Sequence, residues 1–212
     1  MRSRTYLVIA LISLTLIPLE LSWTRIFSAE FFYTFAFLVL SLAVLGLGLG
    51  ALSLRLFRSI DRPGMLGISL TLAGIAALAG PVLVFALAPD FSVVFSDLWT
   101  TGKIVLVVLI LMSTYVFAGI GLAMLFKHNH EDMPRLYMAD LLGAGIGVIA
   151  AIWAMNIFGT PAAAFLIALP ILLAAVMVTK GWIRIVPLAT VAAAIALSPT
   201  AGTLLELERT EH

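Results

Sequence analysis

The sequence predicts an all-α fold, a polytopic transmembrane bundle of about seven helices, and three observations carry that reading. Hydrophobic side chains make up 63% of the 212 residues at a mean hydropathy of +1.18, well above the ~45–50% apolar content of an ordinary soluble domain. Only 12 basic and 11 acidic residues are present, and they fall in short clusters between long apolar runs. Those runs recur at close to the ~20 residues that a helix needs to cross the ~30 Å hydrocarbon core of a bilayer. The composition excludes a water-soluble domain. A net charge of +1 leaves no concentrated basic surface for nucleic acid. With no cysteine there is no disulfide, thiolate metal site, iron–sulfur cluster or cysteine nucleophile.

Seven spans are expected, at residues 6–22, 32–55, 65–88, 104–126, 137–158, 162–179 and 184–199. They form one membrane domain over residues 1–200, followed by a short polar tail at 201–212. The first begins like a secretory signal, with Arg2 and Arg4 before an apolar run from Tyr6 to Leu19. The small-residue cleavage position near Ala29 is spoiled by Phe27 two residues earlier, so a retained helix is the expectation. In the second span Gly46 and Gly50 form a Gly-x-x-x-Gly pair, and in the fifth Gly143 and Gly147 form another. Four-residue spacing stacks glycines on one helix face and lets a neighbouring backbone approach closely. Gly119 with Ala123 is a weaker version in the fourth span. The two glycine pairs stand in the second and fifth spans, an offset of three, which raises an inverted repeat of spans one to three and four to six. The last two spans are short and separated by Lys180-Gly181-Trp182, so a re-entrant hairpin is an alternative for them. Pro18, Pro81 and Pro170 lie inside apolar runs and predict kinks or unwound turns, because each removes a backbone hydrogen bond.

Counting Lys and Arg in alternate connections sets the orientation. One side collects Arg2, Arg4, Arg55, Arg58, Arg62, Lys127, Arg135, Lys180 and Arg184, the other Arg25, Lys103 and Arg209. The N-terminus is therefore expected in the cytoplasm, and an odd number of spans puts the C-terminal tail outside. The connection from Pro89 to Gly102, rich in Phe, Trp and Asp, reads as a segment lying in the interface. Trp23, Tyr33, Trp153 and Trp182 near predicted span ends read as headgroup-level anchors.

Ionisable side chains inside spans are costly and become functional hypotheses by default. Glu20, Arg25 and Asp140 qualify. Arg25 is placed to fold back on Glu20 or on Glu30, and Asp140, in the first turn of the fifth span, has Arg135 within reach and a favourable helix dipole. The same residues read either as charges that lock helix ends or as the lining of a polar cavity or docking surface. Glu20 and Asp140 are expected near opposite membrane faces, which argues against one two-carboxylate catalytic site. His128 and His130 stand two apart in a polar loop without a helical i, i+4 partner, so no metal site is assigned. No cofactor is expected.

Three segments together carry a resemblance. Glu20-x-x-Trp23-Thr24-Arg25 closes the first span, Leu45-Gly46-Leu47-Gly48-Leu49-Gly50-Ala51 fills the second, and Arg135-Leu136-Tyr137-x-Ala139-Asp140-x-x-Gly143-x-x-x-Gly147 opens the fifth. In that order and spacing, and with Phe117 to Ala123, the chain over about residues 10–160 resembles the membrane domain of bacterial fused spermidine synthase-like proteins, a domain itself similar to major facilitators. The loop Arg55 to Gly64 is likewise similar to the connection between helices two and three of major facilitators, although a basic, orienting turn accounts for it as well. The resemblance implies a bacterial cytoplasmic membrane and assigns aminopropyl transfer to a following soluble domain. These 212 residues hold no Gly-rich nucleotide loop, strand–helix alternation or acidic pocket for that chemistry. No catalytic residue is carried over. Glu20, Trp23, Arg25, Tyr137, Asp140, Gly143 and Gly147 are carried over as motif positions only. The function expected is a non-catalytic membrane module that contacts membrane lipid and anchors or positions a protein partner, or a second copy of itself. The alternative is a small-solute transporter for a polyamine or amino-acid-like substrate.

Overall fold

The computed structural model describes residues 2–30, 34–62, 64–87 and 98–200, and these form helices and turns with no strand among them. The helices are α1 (Arg2–Glu30), α2 (Thr34–Leu56), α3 (Met65–Leu87), α4 (Leu98–His128), α5 (Met133–Phe158), α6 (Thr160–Ile167), α7 (Leu169–Val178) and α8 (Ile185–Leu197). With α6 and α7 counted as one interrupted crossing, six are long and apolar enough to cross a membrane, and α8 with its leading turn is a shorter apolar helix. The fold is an all-helical, multi-pass bundle. Local chemistry marks several ends. Pro134 and Pro161 stand in the first turns of α5 and α6, where their missing N–H costs nothing. Gly159 and Gly181 take φ of 80° and 70° at the turns after α5 and α7, a region that glycine enters without a Cβ penalty. Lys127 and His128 close α4, complementing the negative end of its dipole.

The bundle is built from two parallel pairs. Along α1 and α5, Ala10 meets Gly143, Leu14 and Pro18 meet Gly147, and Ser22 meets Met155, so both helices run in the same direction. Along α2 and α4, Tyr115 meets Gly46 and Val116 with Ile120 meets Gly50, while Gly119 lies on Leu47. A β-carbon at Gly46 would lie 2.7 Å from Tyr115 Cβ, and one at Gly147 would lie 2.9 Å from the Leu14 carbonyl. Backbone lies against backbone in both seams. Helix α3 runs antiparallel to α4 and to α7, with Gly121 on Leu70, Gly74 on Leu172 and Gly67 on Thr179. Because lipid is as apolar as the side chains, this close van der Waals contact is what separates the packed bundle from separated helices. The second helix of each expected three-helix unit thus packs on the first helix of the other unit.

The expected proline effects divide. Helices α1 and α3 run unbroken through Pro18 and Pro81, whereas the crossing that carries Pro170 breaks at Ala168. The first turn of α7 has backbone N–H groups without intrahelical acceptors, and Thr15 of α1 supplies one: its Oγ1 accepts from Ile171 N at 3.0 Å. Thr15→Val keeps the shape and removes the acceptor, so it is expected to lower stability by about 1–2 kcal/mol. Thr15→Ser keeps the oxygen and is expected to retain most of it. Thermal melts in detergent and amide exchange at Ile171 report the difference.

Several boundaries differ from expectation. Helix α4 begins at Leu98, so residues 98–102 belong to it, while residues 89–97 of the expected interfacial connection lie outside the described residues. Helix α1 continues to Glu30, which carries Trp23 away from a span end.

Candidate polar sites within the helical bundle

Trp23 is fully buried, which corrects its reading as a headgroup anchor. It packs edge-on against Tyr115, with ring centroids 5.8 Å apart, and against Phe27 at 6.4 Å. The long α1 presents this position to α4 at the centre of the bundle. Trp153 and Trp182 are exposed, as an anchoring role requires, and Tyr33 lies outside the described residues. Tyr137 is also exposed on α5. Gly143 and Gly147 are the contact points of α5 on α1, and Gly46 and Gly50 those of α2 on α4.

Asp140 does not pair with Arg135. Helix α5 begins at Met133, two turns before Asp140, so the carboxylate is past the reach of the N-terminal dipole. It accepts a hydrogen bond from Ser13 Oγ of α1 instead. That serine also lies 3.1 Å from the Ile9 carbonyl, the fallback partner of the same hydroxyl. Ser22 donates to the Pro18 carbonyl at 2.9 Å and lies 3.8 Å from Met155 Sδ, which is also approached by Arg25 Nη1 at 3.8 Å. The hydroxyls Ser13, Thr15 and Ser22 tie α1 to α5 and α7. Their only sequence signal is that they are isolated polar groups in an apolar run.

Glu20 is the exception. Its carboxylate is half-buried and forms no hydrogen bond or ion pair among the described residues, with Arg25 or any other group. The Glu30 side chain lies outside them. Glu20 stands in a pocket of about 340 Å³ lined by Ile17, Leu21, Thr24, Phe37, Leu40 and Val148, between α1, α2 and α5. Near it the Trp23 Nε1 and Tyr115 hydroxyl are buried without hydrogen-bond partners among the described residues. Glu20 and Asp140 are held apart: Ser13, the partner of Asp140, is seven residues from Glu20, about 10 Å along α1. The arrangement places an acid without a partner among the described residues in an apolar bundle, and among those residues neither a nucleophile and base in contact nor a second carboxylate stands beside it.

At the end of the bundle that carries the α1 N-terminus, Asp61 in the turn between α2 and α3 receives Lys127 Nζ at 2.6 Å and lies 3.3 Å from His128 Nε2. His128 Nδ1 is 2.8 Å from the Met124 carbonyl and His130 Nδ1 is 3.2 Å from that of Lys127. Both rings are engaged locally, and no cluster of three or more metal-ligating side chains exists among the described residues. The Lys127 hydrogen bond, with the charges of Lys127 and His128, outweighs desolvation and holds the Asp61 carboxyl below its ordinary value. A lowered acid pKa means that the clamp is intact above the ordinary carboxylate value of about 3.9 and is lost as the pH falls through the lower folded value. Asp61→Asn is expected to flatten the acid limb of a stability–pH profile below pH ~4 and to lower neutral stability by the same small amount, since exposed pairs contribute little.

Compared with protein-family models, curated proteins and solved structures, the chain gives no match.

Proposed function

We propose that the chain is a non-catalytic membrane module of a bacterial cytoplasmic membrane, with its N-terminus inside and its C-terminal tail outside, that positions a partner protein. The observation that carries this reading is the uneven cover of the bundle around Glu20. Helices α5 and α2 have 22% and 33% of their membrane-length windows buried, against 56% for α1. These two thinly covered helices flank the Glu20 pocket, and exposed Arg25 lies beside α5. An unpartnered acid and an exposed cation on one side of a membrane bundle are costly against lipid, and a protein surface that pairs them removes that cost. The resemblance to the membrane domain of fused spermidine synthase-like proteins supports the same reading. The test is photo-cross-linking with a benzophenone amino acid at Leu40, beside the pocket, and at Leu109, an exposed position of α4. A defined 1:1 protein adduct from position 40, absent from position 109 and lost in Glu20→Leu, is expected. Turnover of a small substrate by the purified chain would overturn the reading.

A second reading, a small-solute carrier for a polyamine or amino-acid-like substrate, draws on the bare Glu20 carboxylate and on the reciprocal packing of α2 on α4 and α5 on α1. Uptake into proteoliposomes that disappears in Glu20→Gln or Asp140→Asn supports it. No flux across a broad panel sinks it.

A further inference from the structure

We infer that the outer groove between α1 and α5 is a binding site for one anionic glycerophospholipid, with the phosphate at Arg135 and an acyl chain along the groove. The groove encloses about 550 Å³ and is apolar along its length, through Ala10, Ala139, Leu142 and Ile146, with Arg135 as its one charged lining residue. Leu7, Met138, Leu142 and Ile146 are exposed along it, so it opens on the outside of the bundle where lipid is met. The close approach of Ala10 to Gly143 forms its floor, because neither residue has a side chain large enough to fill the space.

Charge and length select the occupant. Arg135 forms no hydrogen bond or ion pair among the described residues, because Asp140 is taken by Ser13. Glu131 and Asp132 in the preceding turn have contacts of their own. The Arg135 guanidinium offers the paired donors that a phosphate diester accepts. Arg135 sits three residues into α5, at headgroup level, and the groove continues to Ile146, about 16 Å further at 1.5 Å per residue. That length matches one leaflet, half of the ~30 Å hydrocarbon core. A free phosphate would use the donors and leave the groove empty; a lipid fills both. This inference stands independently of the docking reading around Glu20, which lies further along α1, at Ile17 to Thr24 rather than Tyr6 to Leu14.

Native mass spectrometry of the full chain, released from detergent containing equimolar phosphatidylglycerol and phosphatidylcholine, tests it. The expected spectrum shows a monomer retaining one phosphatidylglycerol in preference to phosphatidylcholine. Arg135→Gln is expected to weaken that retention about tenfold, in line with loss of a charge-assisted hydrogen bond. Ala139→Phe, which fills the groove and leaves Arg135 in place, is expected to abolish retention of both lipids. A matching circular dichroism spectrum and elution volume establish that each variant is folded. Equal retention of both lipids, retention unchanged in the two variants, or a dimer mass that disappears in Arg135→Gln would each overturn the assignment.

Discussion

Gly50→Leu and Gly143→Leu are expected to prevent the bundle from assembling, whereas Gly48→Ala and Gly145→Ala, two residues away on the same helices, are expected to be neutral or mildly stabilising. At Gly50 a first side-chain carbon would already lie 2.8 Å from Ile120 N and closer still to the Val116 carbonyl oxygen. At Gly143 it would lie 2.8 Å from Ala10 Cα and inside contact with the Ala10 carbonyl. The obstructing atoms are backbone atoms, so no rotamer change makes room and the paired helices have to separate. Overpacking of a core typically costs about 1–3 kcal/mol when side chains can adjust, and a leucine against backbone exceeds that range. Gly48 and Gly145 face open space. There the change to alanine removes the entropy penalty of a helical glycine, a gain of about 0.5–1 kcal/mol. Fluorescence-detected size exclusion across a temperature ramp reads all four variants. Equal effects at the inner and outer glycines would contradict the seam assignment.

Removing Ser13 is expected to be more damaging than removing the acid it serves. In Ser13→Ala, Asp140 loses the hydroxyl it accepts from, and a carboxylate in an apolar interface is left without a donor, at a cost of about 2 kcal/mol. In Asp140→Leu the Ser13 hydroxyl turns to the Ile9 carbonyl, already 3.1 Å away, so no polar group is stranded. The double variant is expected to recover most of the loss, because replacing both partners of a buried pair with apolar groups is close to neutral. The double-mutant cycle, read from melting midpoints, isolates the coupling. An Asp140→Leu protein that is as unstable as Ser13→Ala would show that the acid has further partners. A stable Asp140→Leu protein also lets a functional role of Asp140 be assayed apart from folding.

The helical, multi-pass character of the chain and the positions of its long crossings were legible in the residues. Both follow from one-dimensional quantities, the length of apolar runs and the placement of charges against a hydrocarbon core of fixed thickness. The same holds for the glycines, since four-residue spacing puts Gly46 with Gly50 and Gly143 with Gly147 on single helix faces whatever they pack against. The partners of those faces were not legible. That Gly143 meets Ala10, that Asp140 accepts from Ser13 rather than pairing with Arg135, and that Thr15 serves Ile171 depend on how the helices cross, which pattern within one helix does not encode. Trp23 shows why proximity to a span end misleads: its neighbourhood was set by the continuation of α1 to Glu30 and by the contact with Tyr115.

Membrane residence was thus determined by the sequence alone, because transfer into hydrocarbon depends on side-chain composition summed along a helix. Only the tertiary structure decided which polar groups are spent on helix contacts and which remain available, because a hydrogen bond needs two atoms brought within about 3 Å. It assigned Ser13, Thr15, Ser22 and Asp140 to the first group. It left Glu20 and Arg135 in the second, without hydrogen bonds to oxygen or nitrogen and without ion pairs among the described residues.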